Sequence, residues 1–308
     1  MISESFELVA NKEDKGLRLD AYIYSMLGDV FPSRALVQKV LADGGVTVKG
    51  KTVTKSSYKI CENDVIVCKY EYEVEVTAQP ENIPLDIVYE DDDIIVINKP
   101  RGMVVHPGAG NFSGTLANAL MYHCKTLSDI NGDIRPGIVH RIDKDTTGLI
   151  VAAKNNKAHV HLARQLETHT MARTYFAVVE GIVESNKGII DAPIGRKPND
   201  RIKMAINLNN GKEAVTHYEV LSRSEGFSYV KCNLETGRTH QIRVHMAFIK
   251  HPVVGDPLYG IKNMREMQGQ ALHAGALHLK HPADDRPMVF EAPLPADFCD
   301  LLKRTCLV

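Results

Sequence analysis

The residue types best suited to chemistry are concentrated in one polar segment, residues 138–148, which directly precedes an apolar run. The segment contains His140, Arg141, Asp143 and Asp145. Polar, turn-favouring residues that lead into a buried strand place side chains at a sheet edge, where active sites are often found. A carboxylate at such an edge can act as a general base or as a nucleophile. The same residues would also suit a loop whose Asp and Thr only cap their own backbone turn, and the residues alone leave both interpretations open.

A second polar segment, residues 236–245, has the same character. The pattern predicts that a strand ends near residue 236 and that Thr239 caps the following helix, so that Arg238 lies at the corner between them. The apolar face of this helix would comprise Ile242, Met246 and Ile249. His240 and His245 are metal-ligand types, but the chain has no H-E-x-x-H motif and no cysteine-rich spacing. The sequence therefore predicts no catalytic metal.

The elements that position these segments begin with a small unit of two helices and a hairpin. Apolar residues at helical spacing predict a helix near residues 18–28. Ser33 should cap a second helix that ends at Gly44-Gly45. A turn at residues 49–51 then joins short strands, and a further strand is predicted over 65–68.

Charge is distributed unevenly over a chain whose net charge is −1. Between residues 33 and 59, six basic residues stand against Asp43 alone, whereas residues 62–93 contain eleven acidic residues and a single Lys. A neutral total therefore conceals a basic region, which is the electrostatic footprint of a phosphate-binding surface. A solvated charged surface is the alternative interpretation.

The rest of the chain predicts a second, larger domain. An acidic, proline-containing linker at 76–84 divides the chain into domains at 1–75 and 85–308. Strands are predicted at 85–89, 94–97, 149–153 and 175–179, and a helix near 156–168. The chain shows no βαβ rhythm and no glycine-rich phosphate loop. We therefore expect an α+β fold with a mixed, largely antiparallel sheet flanked by helices and loops.

Composition narrows the class of protein further. The chain has 308 residues, enough for about two domains. Its six cysteines form no C-x-x-C motif, which favours a reducing compartment. No basic region followed by an apolar run opens the chain, and no apolar run approaches the ~20 residues that span a bilayer. We expect a cytoplasmic protein without membrane contact, and a monomer, because no sustained heptad pattern occurs.

The first domain resembles an S4 RNA-binding domain. The residues that carry this resemblance, in order, are Leu17-Arg18-Leu19-Asp20, Ser33-Arg34, Gly45–Lys51 and Asn63-Asp64-Val65-Ile66. The resemblance implies that basic side chains of this domain contact RNA phosphates. The candidates are Arg34, Lys39, Lys49 and Lys51.

The second domain resembles the RluA/RluD family of pseudouridine synthases. The motifs that carry this resemblance, in order, are Asn98-Lys99-Pro100 with His106-Pro107, His140-Arg141-Ile142-Asp143 with Thr147-Gly148, Arg173-Thr174-Tyr175, Thr236–His245, Gly255–Gly260, and Leu272-His273-Ala274 with His281-Pro282. Together with the S4-like domain, the resemblance covers nearly the whole chain. It implies an enzyme that isomerises uridines in RNA without a cofactor.

The resemblance also implies roles for four residues. Asp143 matches the catalytic aspartate, and Tyr175 matches the tyrosine that packs against the target uracil. Arg238 matches the arginine that pairs with the catalytic carboxylate, and Arg141 an arginine that displaces the target base and contacts RNA. Whether the aspartate attacks a sugar carbon or abstracts a sugar proton stays open.

Two other functions compete with this hypothesis. The chain could be a catalytically inactive RNA-binding or ribosome-assembly protein, or a hydrolase that uses Asp143 with Asp145. The combination of Asp143, Tyr175 and Arg238 favours the synthase. An S4-like domain ahead of such a catalytic domain resembles the enzymes that act on large-subunit (23S-type) ribosomal RNA, which is the predicted substrate, with transfer RNA as the alternative.

Overall fold

The chain folds into two compact units in a computed structural model. The structure describes residues 2–28, 30–31, 33–72, 78–108, 111–132, 134–197, 200, 202–261 and 267–308. The first unit comprises Met1–Val76 with Gly108–Phe112, and the second comprises Thr77–Pro107 with Ser113–Val308. Across those described ranges, no helix has the length and apolar character needed to cross a membrane.

The first unit packs two helices on a four-stranded sheet. Its elements are β1 (Ile2–Val9), α1 (Leu19–Met26), α2 (Arg34–Ala42), β2 (Val46–Val48), β3 (Lys51–Thr52) and β4 (Val65–Tyr72), with a 3-10 turn at Lys12–Asp14. The strand order is β1-β4-β2-β3, and all of its pairings are antiparallel. The core lies between helices and sheet, and includes Phe6, Tyr22, Phe31, Leu41 and Ile66.

Local sequence signals account for most of this unit. The Ser33 hydroxyl accepts a hydrogen bond from the Leu36 amide, as expected of a helix cap. Lys49 and Gly50 both adopt positive φ, at 50° and 76°, which suits a tight two-residue hairpin between β2 and β3. The strand β1 was not predicted, and it pairs with β4 along its whole length.

The second unit is built on a large sheet. Its strands are β5 (Ile87–Glu90), β6 (Ile94–Lys99), β7 (Thr147–Ala153), β8 (Ala172–Glu180), β9 (Lys187–Asp191), β10 (Ile194–Arg196), β11 (Met204–Ile206), β12 (Val215–Ser224), β13 (Phe227–Leu234), β14 (Leu272–Lys280) and β15 (Pro287–Glu291). Its helices are α3 (Leu116–His123), α4 (Asn156–Glu167), α5 (Gln241–Phe248) and α6 (Ala296–Arg304).

The sheet is mixed and largely antiparallel, which confirms the predicted α+β fold. The strand order is β5-β6-β7-β14-β8-β13-β12-β9, with β15 added to β14, and β10 and β11 form a separate ribbon. The pairing of β7 with β14 is parallel, and the other pairings of the large sheet are antiparallel.

Strand β7 lies at the centre of the hydrophobic core. Every residue of β7 is buried, and its alternate side chains enter two apolar clusters. Ile150 and Ala152 join the cluster that includes Ile242 of α5, whereas Leu149 and Val151 join the cluster that includes Leu162 of α4. Burial on both faces explains why β7 reads as a continuous apolar run, and it fixes the end of the loop that precedes β7.

Candidate active site

Three elements of the second unit bring the predicted catalytic residues to one cavity. Asp143 lies in the loop before β7, Tyr175 lies on β8, and Arg238 lies just before α5. These residues and Arg141 all line a cavity of about 80 Å³. Arg141 and Arg238 also line a neighbouring cavity of about 520 Å³. The structure thus places all four predicted site residues of this unit together.

The ion pair with Asp143 is made by Arg243, so the pairing expected of Arg238 is wrong. Arg243 Nη1 lies 2.9 Å from Asp143 Oδ2. Arg243 also donates two hydrogen bonds to Asp256, from Nε to Oδ2 at 2.7 Å and from Nη2 to Oδ1 at 2.8 Å. Arg238 instead donates from Nε to the Glu213 carbonyl at 2.8 Å. Arg238 precedes the helix, whereas Arg243 lies within it and reaches the loop from its buried face.

The Arg243 guanidinium is held as a cation between two carboxylates. Burial lowers its pKa, but the hydrogen bonds to Asp256 and the charges of Asp143 and Asp256 outweigh this and leave the pKa raised. Its Cζ also lies 5.2 Å from the centroid of the Tyr259 ring. The hydrogen bond from this cation to Asp143 Oδ2 fixes the orientation of the carboxylate. The other oxygen, Oδ1, lies 3.9 Å from His240 Nε2.

The loop that carries Asp143 is held by a hydrogen bond at each of the four residues that follow it, 144–147. Lys99 Nζ donates to the Lys144 carbonyl at 2.9 Å, and Arg101 Nη1 donates to the Asp145 carbonyl. The side-chain amide of Gln270 donates from Nε2 to the Thr146 hydroxyl at 3.0 Å, and the Thr147 hydroxyl lies 2.8 Å from His273 Nδ1. Such supporting contacts hold a catalytic group in one geometry before substrate arrives.

Among the residues that hold this loop, Lys99 is unusual because its charged side chain is fully buried. Burial lowers its pKa to about 7, against the raising charges of Asp145 and Asp143. Its Nζ also donates to the carbonyls of Pro100 and Met103, at 2.8 and 2.9 Å. Three acceptors match the three protons of an ammonium group, and these hydrogen bonds favour the charged form against the effect of burial.

Gly148 explains why the loop can join β7 so close to β14. Its φ is +106°, and a Cβ at this position would lie 2.2 Å from the Ala274 carbonyl oxygen. Glycine is therefore required by both the backbone conformation and the close approach of the parallel strand.

Tyr175 forms part of the cavity wall beside Asp143. It is 6% exposed and pairs in register with Cys232 of β13 and Ala274 of β14. Burial raises the pKa of its hydroxyl. The position of an aromatic ring in the same small cavity as the carboxylate suits contact with a planar base.

His240 was considered in the sequence only as a metal ligand, but it is an active-site residue by position. It is the N-cap of α5 and adopts a left-handed conformation, with φ 57° and ψ 20°. The predicted cap, Thr239, therefore lies one residue too early. His240 Nδ1 lies 2.9 Å from the Tyr259 hydroxyl, and Nε2 lies 3.9 Å from Asp143 Oδ1.

Arginines without carboxylate partners gather where the two cavities meet. Arg141, Arg173 and Arg238 line both cavities. Within the described part of the chain, none of the three forms an ion pair with a carboxylate. Arg173 is 8% exposed, and its Nε has no hydrogen-bond partner there. A buried guanidinium without a counter-ion indicates an anionic ligand at this junction.

The basic residues of the first unit differ in how far they are engaged. Arg34 forms a two-bond ion pair with buried Asp20, at 3.0 Å for each bond. Lys49 Nζ lies 2.7 Å from Asp64 Oδ1. Lys39 and Lys51 are exposed and have no ionic partner among the residues that the structure describes. Lys39 and Lys51 therefore present the more available positive charges.

Three residues whose side chains could bind a metal lie close together outside the candidate site: Asp91, Asp93 and His281. Their atoms already have partners. Asp91 Oδ2 lies 2.7 Å from both the Tyr89 hydroxyl and His281 Nε2, and Asp91 Oδ1 accepts from the amides of Asp93 and Ile94. This group links the turn between β5 and β6 to the end of β14.

Comparisons with known proteins identify the family of the chain. Residues 93–248 match the family model described as RNA pseudouridylate synthase, and residues 17–66 match the S4 domain model. The chain is 50% identical to the uncharacterized RNA pseudouridine synthase YlyB of Bacillus subtilis, over 96% of this chain and 97% of that protein. It is 43% identical to ribosomal large subunit pseudouridine synthase D of Escherichia coli strain K12, over 94% and 90%. The solved structure of human RNA pseudouridylate synthase domain containing 4 is similar, with a TM-score of 0.57 and 26% identity, over 72% of this chain and 93% of that one.

Proposed function

Because the chain belongs to the RNA pseudouridylate synthase family, we propose that Asp143 is the carboxylate with which it isomerises uridines in RNA. The observation that carries this proposal is the state of Asp143 in the cavity. Its Oδ2 is held by Arg243 at 2.9 Å, whereas Oδ1 makes no hydrogen bond with the described residues and lies 3.9 Å from His240 Nε2. A charged, oriented carboxylate with one oxygen directed to a cavity suits nucleophilic or base catalysis.

The proposed reaction needs little beyond this carboxylate. The bond between C1′ and N1 of uridine breaks, the uracil turns, and a bond forms between C1′ and C5. C5 loses its proton and N1 gains one, so that no atom is added or removed overall. No redox step and no activated phosphate enters the balance, which is why we propose a reaction without a cofactor. Attack on C1′ and removal of the C2′ proton both use Oδ1.

The target uridine must leave its stack to reach Asp143. Unstacking costs on the order of a few kcal/mol, and stacking on an aromatic ring returns ~1–3 kcal/mol. We assign this role to Tyr175. Arg141, Arg173 and Arg238 would contact backbone phosphates next to the target nucleotide. Asp145 does not line the cavity, and this disfavours a hydrolase that uses two carboxylates of the loop.

We propose large-subunit ribosomal RNA as the substrate. The support is the S4 domain and the similarity to enzymes named ribosomal large subunit pseudouridine synthase D. In this proposal the domain at residues 1–75 binds RNA phosphates through Lys39 and Lys51. A linker at residues 76–84 joins it to the catalytic domain at residues 85–308. A cytoplasmic location follows from such a substrate, and the monomeric state stays a prediction.

The test is to map pseudouridine in ribosomal RNA from cells that lack this gene, by carbodiimide labelling and primer extension. Each culture carries either the natural gene or Asp143→Ala. We expect specific stops that disappear without the gene and return only with the natural one. Restoration by Asp143→Ala would refute the catalytic role. Unchanged ribosomal RNA in every culture would refute the substrate and make transfer RNA the next candidate.

A further inference from the structure

We propose that His240 is a recognition residue, fixed in one tautomer by Tyr259, that donates a hydrogen bond to the 2′-hydroxyl of the target ribose. The inference rests on the proposed function, since it places the sugar against Asp143. It adds a subsite for the ribose, through which the enzyme would sense that its substrate is RNA.

The tautomer follows from the partners of the Tyr259 hydroxyl. This oxygen accepts a hydrogen bond from the Met204 amide at 2.8 Å. It lies 2.9 Å from His240 Nδ1. Within the described ranges, Nδ1 is the only acceptor available to the hydroxyl proton. Nδ1 therefore accepts from Tyr259, and the imidazole carries its own proton on Nε2.

The electrostatics of the pair support the neutral ring. Burial lowers the pKa of His240, although Asp143 acts in the opposite direction. Burial raises the pKa of Tyr259 to about 12, so its hydroxyl keeps its proton at neutral pH. A neutral imidazole with Nε2–H is a hydrogen-bond donor and does not compete with Arg243 as a cation.

The position of Nε2 indicates a ligand. It lies 3.9 Å from Asp143 Oδ1, which is too long for a direct hydrogen bond. Both side chains line the same cavity. The left-handed backbone of His240 is uncommon for a residue with a side chain, and such conformations concentrate at functional sites. The contacts of Tyr259 and the first turn of α5 hold it there.

The ribose supplies the oxygen that this donor needs. Asp143 Oδ1 acts either on C1′ or on the proton of C2′, so C2′ lies beside it in both routes. The oxygen on C2′ is the 2′-hydroxyl, which accepts and donates hydrogen bonds and distinguishes RNA from DNA. A donor next to Oδ1 would hold this hydroxyl and thereby place C1′ and C2′ against the carboxylate.

The experiment is a double cycle on enzyme and substrate. Two otherwise identical RNAs carry either uridine or 2′-deoxyuridine at the target position, and single-turnover rates are measured for the natural enzyme and for His240→Phe. The effect of the missing hydroxyl on intrinsic reactivity is the same for both enzymes, so the ratio of rate ratios isolates the contact. We expect the natural enzyme to discriminate about tenfold more strongly than His240→Phe, the value of one hydrogen bond of ~1.4 kcal/mol.

Two further variants keep the test decisive if His240→Phe does not fold. His240→Gln retains an amide donor and should keep part of the discrimination, whereas Tyr259→Phe leaves the tautomer unfixed and should lose part of it. Equal discrimination by the folded variants and the natural enzyme would overturn the proposal, and would point to a uracil oxygen as the acceptor. Failure of the proposed function is separate, because it would appear as activity in Asp143→Asn.

Discussion

At the scale of single residues, the geometry of the site depends on which arginine pairs with Asp143, the proposed catalytic carboxylate. Arg243 bridges Asp143 and Asp256, whereas Arg238 bonds a backbone carbonyl and lines both cavities. We therefore propose that Arg243 orients Asp143 and that Arg238 contacts the substrate. Mutations at the two positions should separate these roles.

We predict that Arg243→Gln lowers kcat by at least about 100-fold, whereas Arg238→Gln acts mainly on KM. Loss of Arg243 leaves the buried carboxylate of Asp256 and the partly buried carboxylate of Asp143 without their common cation, and removing one member of a buried pair typically costs ~3–5 kcal/mol. Loss of Arg238 removes only the proposed contact to a phosphate and leaves the Asp143 ion pair intact. Steady-state kinetics, with thermal melting as a control for folding, separate the two. A normal kcat in folded Arg243→Gln would contradict the role of the ion pair.

Tyr175 provides a second prediction at this scale. Tyr175→Phe should keep most of the activity because the ring remains, whereas Tyr175→Leu should lose the stacking of ~1–3 kcal/mol, or about 5- to 160-fold in rate. The measurement is the single-turnover rate on one RNA. If the Leu variant were as fast as the Phe variant, the ring would have only a packing role.

At the scale of elements, the sequence correctly predicted the features that depend on neighbouring residues, such as a helix cap and a hairpin turn. Ser33 caps α2, and the hairpin at Lys49-Gly50 forms where the turn residues indicated. The start of α5 was misplaced because Thr239 is a favourable cap type, whereas His240 occupies the position without a side-chain cap bond. Its conformation depends on Tyr259, which is distant in sequence. Such tertiary contacts leave no periodic pattern.

The partner of Asp143 could not be predicted from spacing for a related reason. Arg238 and Arg243 lie in the same motif, and only the direction of each side chain distinguishes them. Helical spacing does place Arg243 one turn after His240, on a common face of α5. That signal would have indicated Arg243, but only once the helix start was known.

The link between the β5–β6 turn and β14 allows a prediction of stability against pH. Burial raises the pKa of Asp91, but hydrogen bonds from the amides of Ile94 and Asp93 and from Tyr89 and His281 outweigh it and lower the pKa to about 2. A carboxyl with a lowered folded-state pKa stabilises the fold above its unfolded pKa of about 4 and loses this as pH falls toward 2.

Asp91→Asn should therefore reduce the free energy of unfolding by about 2 kcal/mol at pH 7. The difference from the natural protein should shrink below pH 4 and nearly vanish near pH 2. Denaturant melts at several pH values measure it. A difference that stays constant with pH would mean that packing rather than charge is lost.

At the scale of the whole molecule, we propose that the first unit contributes RNA binding and that the second unit carries out the reaction. The synthase family model matches the second unit, at residues 93–248. The S4 domain is the expected source of affinity for RNA that does not depend on the RNA sequence. Among its four predicted RNA-binding residues, Lys39 and Lys51 carry the more available charges, since Arg34 and Lys49 are paired with Asp20 and Asp64. The sequence alone ranked these four residues equally, because ion pairing depends on the fold.

We predict that Lys39→Gln and Lys51→Gln each weaken RNA binding and reduce its salt dependence, by about 0.7–0.9 in the slope of log K against log salt. Arg34→Gln should instead destabilise the fold, because Asp20 is buried. Filter binding at several salt concentrations and thermal melts distinguish these effects. An unchanged slope in both Lys variants would exclude them as phosphate contacts.

The central claim is that Asp143 carries the reaction, and the most direct test follows the proton that C5 loses. RNA labelled with tritium at C5 of uridine is incubated with excess enzyme, and tritium release is measured for Asp143→Asn and, as the matched control, Asp145→Asn. The account predicts no release above background for Asp143→Asn and a rate within about tenfold of the natural enzyme for Asp145→Asn, since Asp145 acts through its backbone carbonyl. Release by Asp143→Asn at the natural rate would contradict the account.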